Sequence, residues 1–169
     1  LGVDVKKFTE HVDSVMFCLS KGLSCPVGSI VAGDSEFIKR ARRFRLMAGG
    51  GMRQAGIIAA PGIIALEKMI DRLKEDHENA RRLAEGLSKI DGVDVDLSKV
   101  QTNIVKADIS SLGVETDYFI EMLSSRGVRT ESLEKDKLRM VTHRGVTKED
   151  IEYAIQVFRE VVEDLKERG

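Results

Sequence analysis

VDSVMFCLSKGLSCPVGSIVA, Val12 to Ala32, is the stretch on which the reading of this chain turns. Its first nine residues, Val12 to Ser20, form a nearly continuous apolar run, the pattern of a strand covered on both faces. A Gly/Pro loop follows, and Gly28 to Ala32 (GSIVA) reads as a second strand. Strands of this kind need partners on both sides, so the segment belongs to a larger sheet. Lys21 stands where buried strand gives way to loop, between Ser20 and Gly22, and the glycine lets the backbone pass close to a bound group. Such a lysine has two readings. It is a solvated strand-end cation, or it is an amine partly withdrawn from water that loses its charge more easily and, once neutral, condenses with an aldehyde.

Downstream, Asp34 is placed to cap a helix whose apolar positions Phe37, Ala41 and Phe44 repeat at helical spacing, with Arg40, Arg42 and Arg43 turned outward. That helix must stop at Gly49-Gly50-Gly51. From Gln54 to about Lys89 runs a long helical stretch, expected to break or bend near Pro61 and Gly62, with Glu78–Arg82 and Arg81–Glu85 as i,i+4 pairs in its second half. Beyond Gly92 the period changes. Val93, Val95 and Leu97 alternate with Asp94 and Asp96, and Thr102 to Ile109 reads as a strand. Asp117 to Ser125 has helical spacing, Val128 to Thr130 is extended, and Leu138 to Thr142 is the last strand. The final helix opens on Thr147 as N-cap, with Asp150 three residues on and Val146 stapling to Ile151. The domains expected are therefore a remnant of a large domain over 1–53, a connecting helix over 54–89 and an α+β small domain over 90–169.

Composition excludes several classes of function. The 27 basic and 28 acidic residues give a net charge of -1 and are mixed in sign, so nothing asks for nucleic acid or an anionic membrane surface. No apolar run approaches the roughly 18 residues a membrane span needs, and LGVDVKKFTE lacks a signal-peptide layout, so a cytoplasmic setting is expected. Cys18 and Cys25 match neither a zinc knuckle nor a redox pair and read as small buried side chains. His11, His77 and His143 form no ligand pair, and no metal site is expected; His143, four residues from Arg139, is placed to border a site there. The chain begins on Leu, and Leu1 to Glu10 reads as the end of a preceding element, which suggests a piece of a longer protein.

Two strings together carry a resemblance: CLSKGLSCPVGS, Cys18 to Ser29, and GGGMRQ, Gly49 to Gln54. Both resemble threonine aldolases, among the β-eliminating lyases of the fold-type I enzymes that use pyridoxal 5'-phosphate. The similarity continues through Thr102-Asn103 and Leu138 to His143 (LRMVTH) and covers essentially the whole chain. One departure is Arg45-Leu46, where members of the family usually carry Arg-Lys before the glycines.

The resemblance implies an α/β fold class: part of the aminotransferase-like large domain followed by a complete α+β small domain. It implies that Lys21 holds the cofactor as a Schiff base, that Ser20 hydrogen-bonds its phosphate, and that Arg53 lends positive charge near that phosphate across a subunit interface. Arg139 would bind the substrate α-carboxylate, a task that suits the two parallel donors of a guanidinium. The implied reaction cleaves threonine or allo-threonine to glycine and an aldehyde. The family also assembles as tetramers, so self-association is expected. The groups that such a site places on the pyridine ring and its phosphate lie before the lysine, and neither Asp4 nor Asp13 has the context of the ring-nitrogen aspartate. The chain alone is therefore expected to be inactive, needing a complementary N-terminal half. Two alternatives stand beside this reading. One is another fold-type I lyase such as a β-eliminating lyase, against which GGGMRQ argues. The other is a noncatalytic assembly fragment whose unpaired strand edges recruit a partner.

Overall fold

The computed structural model describes residues 2–168, which form two compact units, one ending at Leu73 and the other starting at Lys74. The N-terminal unit contains α1 (Val5–Thr9), β1 (Ser14–Cys18), β2 (Ser29–Gly33), α2 (Ser35–Met47) and α3 (Gly56–Lys68). Strands β1 and β2 pair antiparallel, from Ser14 opposite Gly33 to Cys18 opposite Ser29. Helix α2 starts where the sequence places it, with Asp34 Oδ1 accepting from the Phe37 N–H at 2.7 Å.

These strands were expected to be buried on both faces, and here they are not. Val15, Met16 and Phe17 are all exposed, Met16 by 60%. A two-faced apolar strand is buried only when a layer lies on each side, and among the described residues β1 and β2 form a sheet of just two strands. What this unit does bury is small: Leu19, Cys25 and Ala65, with Leu23 and Ile30 packed against them.

The 54–89 stretch is two helices, not one. Pro61 lies inside α3, costing it one backbone hydrogen bond without ending it. The break falls at 69–72, after the Met69 N–H bonds to the Ala65 carbonyl, and α4 (Leu73–Leu87) begins anew. Arg81 pairs with Glu85 as the spacing predicts, at 2.7 Å, but Arg82 reaches Glu152 at 3.3 Å instead of Glu78. The 15-residue α4 is long enough to be marginally stable alone; its apolar face is what holds it.

The C-terminal unit packs α4, α5 (Thr116–Ser125) and α6 (Lys148–Arg168) with a three-stranded antiparallel sheet in the order β3 (Ile104–Asp108), β5 (Lys137–Val141), β4 (Glu131–Glu134). Alternation along β3 and β5 turns Val105, Ala107, Leu138 and Met140 inward, where they meet Phe119, Leu123, Leu87 and Phe158. The Phe119 and Phe158 rings meet edge to face, 5.8 Å between centroids. Gly86 lets α4 come close to α6: a Cβ there would stand 2.3 Å from Ile155 Cδ1. The capping box of α6 forms as expected. Asp150 Oδ2 accepts from the Thr147 N–H at 2.8 Å, and Thr147 Oγ1 accepts from the Asp150 N–H at 3.2 Å. Among the described residues no helix is long and apolar enough to cross a membrane.

Candidate functional site

Lys21 sits in the loop that joins β1 to β2, and that loop is closed by backbone hydrogen bonds on both sides of it. The Leu19 N–H donates to the Gly28 carbonyl, the Cys25 N–H to the Leu19 carbonyl, both at 2.9 Å, and the Ser24 N–H to Lys21's own carbonyl at 2.8 Å. Ser24 takes the left-handed conformation, φ 57°, that so tight a return requires. Below the loop, Leu19 is buried against α3, where a Cβ on Gly62 would stand 3.1 Å from Leu19 Cδ1. The side chain two residues before Lys21 is thus wedged against a helix while Lys21 itself is exposed. Its amine has no ion-pair or hydrogen-bond partner among the described residues.

Ser20 is exposed beside it. Arg53 lies in the same unit, in the turn that leads from the glycine run into α3, and its guanidinium is likewise unpaired among the described residues. The glycines serve as the turn that one reading of the sequence required. Gly49 has φ 78°, the Gly50 N–H bonds the Arg45 carbonyl at 2.7 Å, and a Cβ on Gly50 would lie 2.9 Å from that carbonyl oxygen. They end α2 and present Arg53 to solvent. Arg45 is exposed, with its carbonyl engaged in the cap.

An unpaired amine with a hydroxyl next to it suits a ligand that bears both an aldehyde and a phosphate, and Arg53 is a free guanidinium elsewhere in the same unit. Two aspartates of this unit are already engaged as helix caps. Asp4 caps α1 through the Lys6 N–H, and Asp34 caps α2.

Arg139 belongs to the C-terminal unit, on the outer face of β5. It lines a shallow cleft of about 250 Å³ with Arg129, Thr130, Glu131, Val141 and His143. Its Nη1 donates to Glu131 Oε2 at 3.0 Å, across the β4–β5 pairing that sets the two residues opposite each other. His143 shares the cleft, as its distance along the strand suggested. The Gly145 N–H donates to its Nδ1 at 3.0 Å, so a neutral ring carries its proton on Nε2 and offers a donor there. Sequence reading did not find Glu131, Arg129 or the Gly62 seat under Leu19. The first two sit on or beside a polar strand with no alternation to mark it, and the last depends on a helix about forty residues away.

Comparison with known proteins puts these residues in context. A model of the beta-eliminating lyase family matches residues 1–110. The chain is 38% identical over 164 residues to the probable low-specificity L-threonine aldolase 2 of Arabidopsis thaliana, covering 95% of this chain and 46% of that protein. It is 40% identical over 153 residues to the low specificity L-threonine aldolase of Escherichia coli K12, covering 89% of this chain and 43% of that protein. The chain thus spans less than half the length of these relatives. Its fold is that of the aminotransferase TlmJ from Streptoalloteichus hindustanus, with a TM-score of 0.70 at 20% identity, over 90% of this chain and 53% of that one. The match over 1–110 takes in the Lys21 loop and the glycine turn alike, and the chain belongs to the beta-eliminating lyase family.

Proposed function

We propose that this chain works, within a protein of its relatives' full length, in the cleavage of threonine, allo-threonine or a similar β-hydroxy-α-amino acid to glycine and an aldehyde, with pyridoxal 5'-phosphate as cofactor. The observation that carries the reading is the closed loop that leaves the Lys21 amine exposed and unpaired on a backbone pinned at Leu19, Ser24 and Cys25. Names of relatives at 38% and 40% identity support the substrate class.

In this reading Lys21 holds the cofactor through its amine, Ser20 binds the cofactor phosphate by its hydroxyl, and Arg53 lends positive charge near that phosphate across a subunit interface. When bound, pyridoxal phosphate supplies an electron sink for the pair released as the Cα–Cβ bond breaks. Arg139 orients the substrate by its α-carboxylate, and His143, with Nδ1 already occupied, assists as a donor and not as the base for the β-hydroxyl proton. The remaining parts of the site lie in the rest of a protein of the relatives' length, of which this chain covers less than half. The exposed apolar faces of β1 and the helices beside it favour an assembled working form, with the rest of that protein and with further copies of the chain. We place it in the cytoplasm, acting on a small-molecule amino acid without nucleic acid or membrane.

The test is threonine-dependent glycine release by the longer protein. Lys21→Ala abolishes it. Arg139→Ala raises KM by roughly tenfold or more, since hydrogen bonds to a charged group are worth about 1.5–3 kcal/mol. Turnover that survives Lys21→Ala would refute the assignment.

A further inference from the structure

The outer face of the three-stranded sheet carries one row of charge. Lys106 on β3 stands opposite Arg139 on β5, and Arg139 stands opposite Glu131 on β4. Alternation keeps all three on the solvent side, since Val105, Ala107, Leu138 and Met140 fill the core side. Like charges set directly opposite each other on neighbouring strands repel. Within the row two cations face one carboxylate; Lys106 also lines a neighbouring cavity with Asp94, Asp96, Asp108 and Glu134, so the free positive charge of the row lies at Arg139. Arg129 adds a further cation to the cleft that Arg139 lines. Such a row attracts an anion, and one is already present: the Glu131 carboxylate, on Arg139 Nη1 at 3.0 Å.

We propose that Glu131 is a built-in competitor for the anion site at Arg139, a resident carboxylate that holds the guanidinium when no anion is bound and lowers its affinity for one that arrives. This rests on the reading of Arg139 as the substrate-carboxylate residue and adds to it what sets the strength of that contact. The geometry allows exchange. The Glu131 side chain is 74% exposed, against 34% for Arg139, and it lies on an edge strand whose pairing with β5 shifts register between Ser132 and Glu134. Only one of the five guanidinium N–H donors is engaged by Glu131. A second carboxylate on the remaining donors feels the charge of the first, and an exposed pair of this kind is worth a few tenths to about 1 kcal/mol. Removing the Glu131 charge therefore tightens carboxylate binding roughly two- to fivefold.

Phenylglyoxal labelling of arginines in the 169-residue chain, at constant ionic strength and mapped by peptide mass spectrometry, reads this without any activity. Arg144 serves as the reference for reagent access. Acetate slows labelling of Arg139, and in Glu131→Gln the concentration giving half-protection falls two- to fivefold while Arg144 labelling is unchanged. A half-protection value that is unchanged or raised in Glu131→Gln overturns the inference, the raised value showing that Glu131 orients Arg139 for an anion and does not compete with it. Glycine is run in parallel. In the longer protein with its cofactor, acetate protection without glycine protection sinks the amino-acid reading of Arg139 and leaves the competition standing.

Discussion

The two units of this chain differ in what they do with apolar side chains. In the C-terminal unit the apolar positions of α4, β3, α5, β5 and α6 converge, and Phe119, Phe158, Leu123, Leu138 and Ile109 are fully buried. The N-terminal unit buries Leu19, Cys25 and Ala65 and leaves Met16, Phe44, Met47, Ile57 and Ile63 in water. One unit consumes its own hydrophobic pattern; the other presents it. The pattern is left open in the unit that carries the Lys21 loop, and it is this surface that we propose further chain covers. The Arg139 cleft is set in the closed one.

The contrast can be broken first at the closed core. Phe158→Ala removes a ring packed edge to face on Phe119, and a large-to-small change at a site with no exposure costs about 3–5 kcal/mol. Urea unfolding followed by hydrogen exchange in β3 and β5 measures it; a loss under about 1 kcal/mol would mean that this core is not the cooperative one described. A smaller effect comes from the α6 cap, where Thr147→Ala costs about 1 kcal/mol by chemical denaturation. Acid acts on the same contact. The Thr147 backbone N–H, and then its hydroxyl, bond the Asp150 carboxylate and hold its pKa below the usual value. A depressed folded pKa stabilises above the ordinary carboxylate range, and that contribution is lost as pH falls through the folded value. Asp96 behaves alike, lowered to about 2 by hydrogen bonds first from Lys99 and then from Ser98. Stability of the C-terminal unit therefore declines between about pH 4 and pH 2, and Thr147→Ala, which removes the hydroxyl but not the backbone N–H, lessens the Asp150 share of that decline. The smallest stability effect belongs to the open unit. Met16→Lys, at an exposed position paired with exposed Val31, changes stability by no more than about 0.5 kcal/mol yet reduces self-association in sedimentation. A large stability loss there would show that Met16 is packed within the unit after all.

Legibility in the sequence follows the same division. Elements specified by local chemistry stand where the sequence puts them: the Asp34 cap, the Thr147–Asp150 capping box, and strands β3 and β5 with their alternating faces. What escaped depends on partners far along the chain. Glu131–Glu134 (ESLE) has no apolar alternation and becomes a strand because β5 pairs with it, through a turn in which Asp136 adopts φ 61°. Arg82 prefers Glu152 on another helix to Glu78 on its own. The helix break comes after Met69, since one lost hydrogen bond at Pro61 does not outweigh the rest of α3. As for the site, the position of Lys21 at a strand end is visible in the residues themselves. The seat beneath it, where Leu19 meets Gly62, and the carboxylate on Arg139 are products of folding.

The most direct measurement is addition of pyridoxal 5'-phosphate to the longer protein, reduction with borohydride, and peptide mass mapping of the lysines. One stoichiometric label is expected on Lys21, lost in Lys21→Ala. Labelling spread over surface lysines such as Lys39 and Lys68, with none preferred, would contradict it.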